Sequence, residues 1–242
     1  MKWQDNGIIL SQRNLNDNKI ILSILTVEHG RHTGLIHISS KNKNLSHVQS
    51  GNFAQTIWTA RLNEHLGRWN LDVSFMPWLQ VLKDPVRLLA LSTACALADY
   101  CLPERHPYQT LYESLENFLD SLVHDENWRR NYVQFEMDLL SELGFGLNLN
   151  FCTVTKQRED LIFVSPKTGH AVSRKAGEAY QDRLLPLPAF LTQQDIAITD
   201  SQLDQALYLT GYFLGRHFSE NRKLPETRQR FIKLIKYKNQ KQ

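Results

Sequence analysis

The chain has 242 residues, 42% hydrophobic and 22% charged, with a formal net charge of +3. That is enough apolar material for a buried core in one or two domains, and three cysteines exclude a disulfide framework or a four-cysteine zinc site within one chain. No charge-free apolar run approaches the twenty or so residues of a membrane span, and Met1-Lys2-Trp3-Gln4-Asp5 does not read as a signal peptide, so a cytoplasmic protein without a membrane is expected.

The charge is unevenly placed. Residues 1–77 hold eight Lys/Arg against five acids, residues 78–221 twelve against nineteen, and residues 222–242 eight against one. Basic ends permit polyanion binding.

From Asp5 to Met76 the pattern is of strands. "GIILSQRN" and "NKIILSILTV" flank the turn-like "NLND" and read as a hairpin. "GRHTGLIHIS" follows, Glu28-His29-Gly30 forming the tight turn before it, with Gly30 at positive φ. "NFAQTIWTARL" and the alternating "WNLDVSFM" complete five strands. Five short strands in about 75 residues suit a small closed barrel of the OB or SH3 type, and the OB type is favoured.

At Pro77 the period changes. Asp84-Pro85 is an N-cap followed by proline at the first helical position, and the next eighteen or so residues are apolar almost all round. Leu111, Leu115, Phe118, Leu119 and Leu122 recur at helical spacing. "NWRRNYVQFEMDLLSELGFG" predicts a third helix with Tyr132, Phe135, Leu139, Leu140 and Leu143 inward and Gly144 as C-cap. "EDLIFVSPKTGHAVS" reads as a hairpin, and helices resume over 201–220 and 225–237. The expected fold is α+β: an N-terminal OB-type five-stranded barrel (1–77), then a mainly helical domain (78–242) with a small β-hairpin insert at about 147–173.

Catalytic chemistry is thin. No Gly-rich phosphate loop, GxSxG elbow or HExxH motif is present. His29 and His32 lie three apart across Gly30, so on a strand they point to opposite faces; a metal-dependent enzyme using them is one reading from another class. Cys95 and Cys101 fit as small apolar residues of a buried helix. No catalytic residue, cofactor or metal is assigned. Binding is better supported. Arg13, Lys19, Arg31, Lys41, Lys43 and Arg61 fall at strand ends and in the loop after the third strand, where they could line a groove for phosphates. Trp58 or Phe53 could stack on bases, although a small barrel needs its aromatics inside. Barrel and charge alone leave an RNA-binding OB protein open.

The order of these segments resembles the RecO family of bacterial DNA-repair and recombination mediators. The resemblance is carried by "GIILSQRNLNDNKIILSILTVEHGRHTGLI", "YVQFEMDLLSELGFGLNL", "FVSPKTGHAVSRKAGEAYQDRLLPLPAFL", "LTGYFLGRHF" and "LPETRQRFIKLI", nearly end to end. It implies an OB barrel, a helical C-terminal domain and non-enzymatic action. It also implies binding to single- and double-stranded DNA, annealing of complementary strands, and remodelling of the single-strand-binding protein SSB so that RecA can load, in partnership with RecR. A nucleoid-associated protein, a monomer on its own, is what it suggests. Two departures stand out. Some family members carry four cysteines forming a zinc ribbon in the insert; here Cys152 remains, and Ser173 stands where a later cysteine is expected, so the insert is expected to lack zinc. Related sequences also carry arginine beside the "FE" of the third helix, in the region linked to the SSB tail. Here Arg129 and Arg130, one turn earlier, are the candidates for that role, with Met137 and Leu140 as pocket wall.

Overall fold

The computed structural model describes residues 1–37, 45–62, 65–193, 196–217 and 223–239. They divide into two compact units, Met1–Asp125 and Glu126–Gln242. Lys41 and Lys43 lie outside the described residues.

The first unit opens with a closed five-stranded barrel: β1 (Lys2–Asn16), β2 (Lys19–Thr26), β3 (Gly30–His37), β4 (Phe53–Thr59) and β5 (Gly67–Phe75), in the order β1-β2-β3-β5-β4. β1 serves two neighbours. Its first half pairs with β4 from Lys2 to Ile8, its second with β2 from Gly7 to Asn16, and a register shift between Ile9 and Ser11 bends it from one to the other. Strand alternation fills the interior with Ile9, Ile20, Leu22, Ile24, Trp58 and Trp69, and Val48 joins them from the short 3-10 turn Ser46–Val48 before β4. Each fully buried aliphatic side chain contributes roughly 1.5–3 kcal/mol.

The barrel closes where β3 and β5 run parallel, over only Gly34↔Gly67 and Leu35↔Arg68. The two glycines leave room for indoles: a Cβ on Gly67 would lie 2.1 Å from the Trp58 ring and one on Gly34 2.8 Å from that of Trp69. Gly67→Ala is therefore expected to overpack the core and cost about 1–3 kcal/mol, seen as a lower denaturation midpoint.

Short α1 (Pro77–Gln80), then α2 (Pro85–Cys101) and α3 (Gln109–His124), belong to the same unit. Asp84 caps α2, its carboxylate accepting from the backbone N–H groups of Val86 and Arg87. α2 buries Val86, Ala90, Leu91, Ala94, Cys95, Leu97 and Ala98, as its apolar composition predicts.

The second unit begins with α4 (Trp128–Glu142), whose inward residues Tyr132, Phe135, Leu139 and Leu140 are fully buried. Gly144 follows at φ +83°. The insert is a three-stranded sheet: β6 (Leu161–Val164) pairs antiparallel with β7 (Ala171–Ser173) and with β8 (Leu185–Pro186). The hairpin is as expected; the third strand was not, because Pro186 argues against a ladder position and is accommodated here at an edge. α5 (Arg174–Gly177) is a single turn, and α6 (Asp200–His217) and α7 (Glu226–Asn239) complete the unit.

Candidate nucleic-acid interface

Register brings distant cations together. Arg13 pairs with Ile21, Ile21 with Leu35, Leu35 with Arg68, Arg68 with Thr59, and Thr59 with Lys2. This row points outward, since its flanking positions Trp58, Trp69 and Leu22 are interior. It winds round the barrel and returns to β1 eleven residues from where it left, the stagger that closure of tilted strands requires. Arg13, Arg68 and Lys2 are all exposed. At ~4.8 Å per strand they are separated by roughly 14 Å and 10 Å. Lys19 and His37, paired with each other, lie one step to one side, with Asn70 and Gln4 further along in outward positions. Arg61 lies on the other side of the row, two residues past Thr59. Lys2 and Arg68 were missed in the sequence because only barrel closure relates residue 2 to residues 13 and 68.

Arg31 has a different task. Its Nε donates to the carbonyl of Leu102 at 2.8 Å, and Nη1 lies 3.3 Å from Asp99 and 3.4 Å from Glu104. Two carboxylates offset its charge, so it ties β3 to the chain after α2 and is not an open phosphate contact.

The histidines are structural neighbours of tryptophan. His29 stacks on Trp3 at 4.0 Å, and its Nδ1 is 3.0 Å from Asp5, which also accepts from the Glu28 backbone N–H. His32 is buried against Trp3 and Trp58, and burial pushes its pKa down. Among the described residues no group of three or more His, Cys, Asp or Glu could hold a metal ion. Trp58 is wholly buried, so it is core and no base platform; Phe53 packs against Phe75 at 5.8 Å.

In the second unit, Arg130 is spent on backbone: Nη1 donates to Phe190 O and Gln193 O, Nη2 to Ile196 O. Arg129 pairs with Asp200 at 3.1 Å while its Nε has no hydrogen-bond partner. Met137 is half-buried, and Leu140 has no exposed surface with which to line a pocket.

Two family models match, recombination protein O N terminal over residues 1–71 and recombination protein O C terminal over residues 82–225. A protein named DNA repair protein RecO from Rhodospirillum centenum is 41% identical over 236 residues, covering 96% of this chain and 94% of its own length. Its namesake from Cereibacter sphaeroides is 40% identical over 238 residues, 97% and 98% of the two chains. The chain belongs to the RecO family.

The words that carried the RecO resemblance meet inside the second unit. Glu136 of "YVQFE" is fully buried and accepts from Arg228 of "LPETRQRF" through two bonds, Nε at 2.9 Å and Nη2 at 2.8 Å. Tyr132 donates to the same carboxylate at 2.7 Å, and Thr210 of "LTGYF" donates to it as well. Arg228 Nη2 also donates to Leu207 O at 2.7 Å. Gly211 leaves space for the guanidinium, since a Cβ there would lie 2.6 Å from Nη1. A carboxylate amid the apolar residues of α4 was the available signal, because a buried charge demands a partner.

The zinc ribbon of some RecO relatives has no counterpart in chemistry here. Cys152 Sγ accepts from the Ser173 N–H at 3.3 Å, the Ser173 hydroxyl at 3.4 Å and the Thr155 N–H at 3.5 Å. One thiol whose lone pairs face donors does not fit a zinc ion, which needs four ligands. Burial raises the thiol pKa, but the bonds from Ser173 and Thr155 outweigh it and bring it down to about 6. By contrast, burial pushes Cys95 up to about 12. A depressed folded pKa stabilises the fold most above the unfolded value near 8.5 and loses that stabilisation as pH falls towards 6. Stability should therefore rise between pH 6 and 8.5, and Cys152→Ser should flatten that part of a denaturation-versus-pH curve.

Proposed function

We propose that this RecO-family chain is a non-enzymatic mediator of DNA repair and recombination. It binds single- and double-stranded DNA through the outer surface of its barrel, anneals complementary strands and, with RecR, helps RecA load onto single strands coated by SSB. The observation that carries this reading is the row Arg13–Arg68–Lys2 on a barrel that belongs, with the rest of the chain, to the RecO family. Cations spaced along this path round the barrel wall neutralise phosphates without reading sequence. Lys19 and Arg61 flank the row, and Lys41 and Lys43 follow β3 in the sequence. Arg31 acts as their anchor.

For the SSB tail, Arg129 is the candidate contact to a carboxylate: its side chain is 26% exposed and already pairs with one, Asp200 at 3.1 Å, which the tail would displace. Arg130 holds the carbonyls of Phe190, Gln193 and Ile196. The test is annealing of complementary strands coated with the cognate SSB: the chain should anneal them, and SSB lacking its acidic tail should not be relieved. A fluorescent tail peptide should bind Arg129→Ala protein roughly ten- to a hundredfold more weakly, since a charge-assisted hydrogen bond contributes about 1.5–3 kcal/mol. Failure to anneal bare strands would remove the function, and an unchanged peptide affinity would remove Arg129 from the site. Matched RNA competing equally with DNA would favour the RNA-binding reading.

A further inference from the structure

The solvent face of α6 is unusual for a surface helix. Exposed positions of a helix are normally polar, but here Tyr208 is 58% exposed and Tyr212 39%. They are one turn apart, about 6 Å along the axis, and Arg216 follows after another turn. At the Asp204 end, Lys236 of α7 reaches across to that carboxylate at 3.7 Å, and Lys233 stands exposed one turn earlier on α7. At the other end, Arg216 donates to the carbonyls of Pro166 and Lys167, which hold the guanidinium without cancelling its charge. There it borders a cleft of about 480 Å³ that includes Phe145, Lys167 and Phe213, and Phe145 is 42% exposed.

We propose that this face of α6, flanked by Lys233 and Lys236 of α7 and ending in the Phe145 cleft, is a second binding surface for single-stranded nucleic acid. Bases stack on Tyr208 and Tyr212, and phosphates meet Lys233, Lys236, Arg216 and Lys167. Exposed rings interleaved with cations are the composition that binds single strands without sequence preference. A duplex hides its base faces, and an acidic peptide would use the lysines but leave the two tyrosines unexplained. From Asp204 to Arg216 the path is about 18 Å long at ~1.5 Å per residue. The scaffold is rigid because Arg228, Phe231 and Ile235 of α7 are buried in the unit. This inference rests on the nucleic-acid reading above and extends it: a barrel site and a helical site on one chain can hold two strands at once, as annealing requires.

The test uses the full chain in four forms: wild type, a barrel variant (Lys2→Ala/Arg13→Ala/Arg68→Ala), a platform variant (Tyr208→Ala/Tyr212→Ala), and both combined. The tyrosines are exposed, so the platform variant should keep the wild-type denaturation midpoint. Labelled oligo-dT affinity is measured at low salt, and energy transfer between two non-complementary oligonucleotides, one with donor and one with acceptor, reports double occupancy. Residual binding by the barrel variant should fall roughly tenfold per stacking ring removed when the two are combined. The platform variant alone should bind a single oligonucleotide yet lose energy transfer. Unchanged residual binding together with unchanged energy transfer would overturn the platform. A barrel variant that binds like wild type would instead overturn the barrel reading, and the platform would then be judged by the tyrosine substitutions in the wild-type background. Binding of poly-glutamate, lost in Lys233→Glu/Lys236→Glu but kept in the platform variant, with no residual oligonucleotide binding by the barrel variant, would also overturn it in favour of an acidic protein partner.

Discussion

Glu136→Ala should destabilise the second unit by about 3–5 kcal/mol, because it strands the Arg228 guanidinium in the core. Three donors lose a carboxylate acceptor at once, Arg228, Tyr132 and Thr210, although Arg228 keeps the carbonyl of Leu207 and Thr210 that of Ala206. The arginine is 4% exposed and cannot recover water without opening the packing of α7. Denaturant unfolding followed by a probe in the second unit should show the loss. The ion pair itself is a different quantity from the penalty of breaking it. Glu136→Leu/Arg228→Met should therefore cost less than either single change, since no charge is left buried. A double variant as unstable as the two singles combined would show that the bonds, and not the orphaned charge, dominate.

The second large effect concerns DNA. Lys2→Ala/Arg13→Ala/Arg68→Ala should lower single-strand affinity on the order of 10²-fold at 0.1 M salt, with the deficit vanishing towards 1 M. The slope of log affinity against log salt should shrink by about 2, at ~0.7 for each phosphate contact removed. All three side chains are exposed on strand exteriors, so the barrel core is untouched and the denaturation midpoint should hold. Arg31→Ala should behave in the opposite way: a lower midpoint from the broken ties to Leu102, Asp99 and Glu104, with a nearly unchanged salt slope. The pair of results separates a cation that meets phosphate from one that holds the fold.

The sequence carries periodicity well and register poorly. The five strands and the long helices follow from alternation and helical spacing, and Gly30 does sit at φ +72°. The first half of β1 was missed because "KWQDN" is polar, although Trp3 packs on the barrel core and Asp5 fixes the turn before β3. Of the cations proposed for the groove, Arg13 keeps an exposed place on the row, Lys19 and Arg61 flank it on opposite sides, and Arg31 is neutralised. Neighbourhoods of that kind depend on strand stagger, which no local pattern encodes. Arg129 and Arg130 show the same gap at shorter range: adjacent in sequence, one grips three carbonyls and the other keeps a donor unused.

The two-pair contact between β3 and β5 sets where the barrel first lets solvent in. Every other strand pairing in the ring runs over seven positions or more, so amide protons beside Gly34 and Gly67 should exchange before those of β2 at low denaturant. Opening there also breaks the row between Leu35 and Arg68, while Arg68 stays joined to Lys2 through Thr59. In the binding mode proposed above, a strand of DNA passing from Arg13 to Arg68 would cross that seam from outside, so ligand and hydrogen bonds would close the same gap. Binding should slow exchange at the seam more than anywhere else in the barrel, and a leaky seam should weaken binding in equal measure.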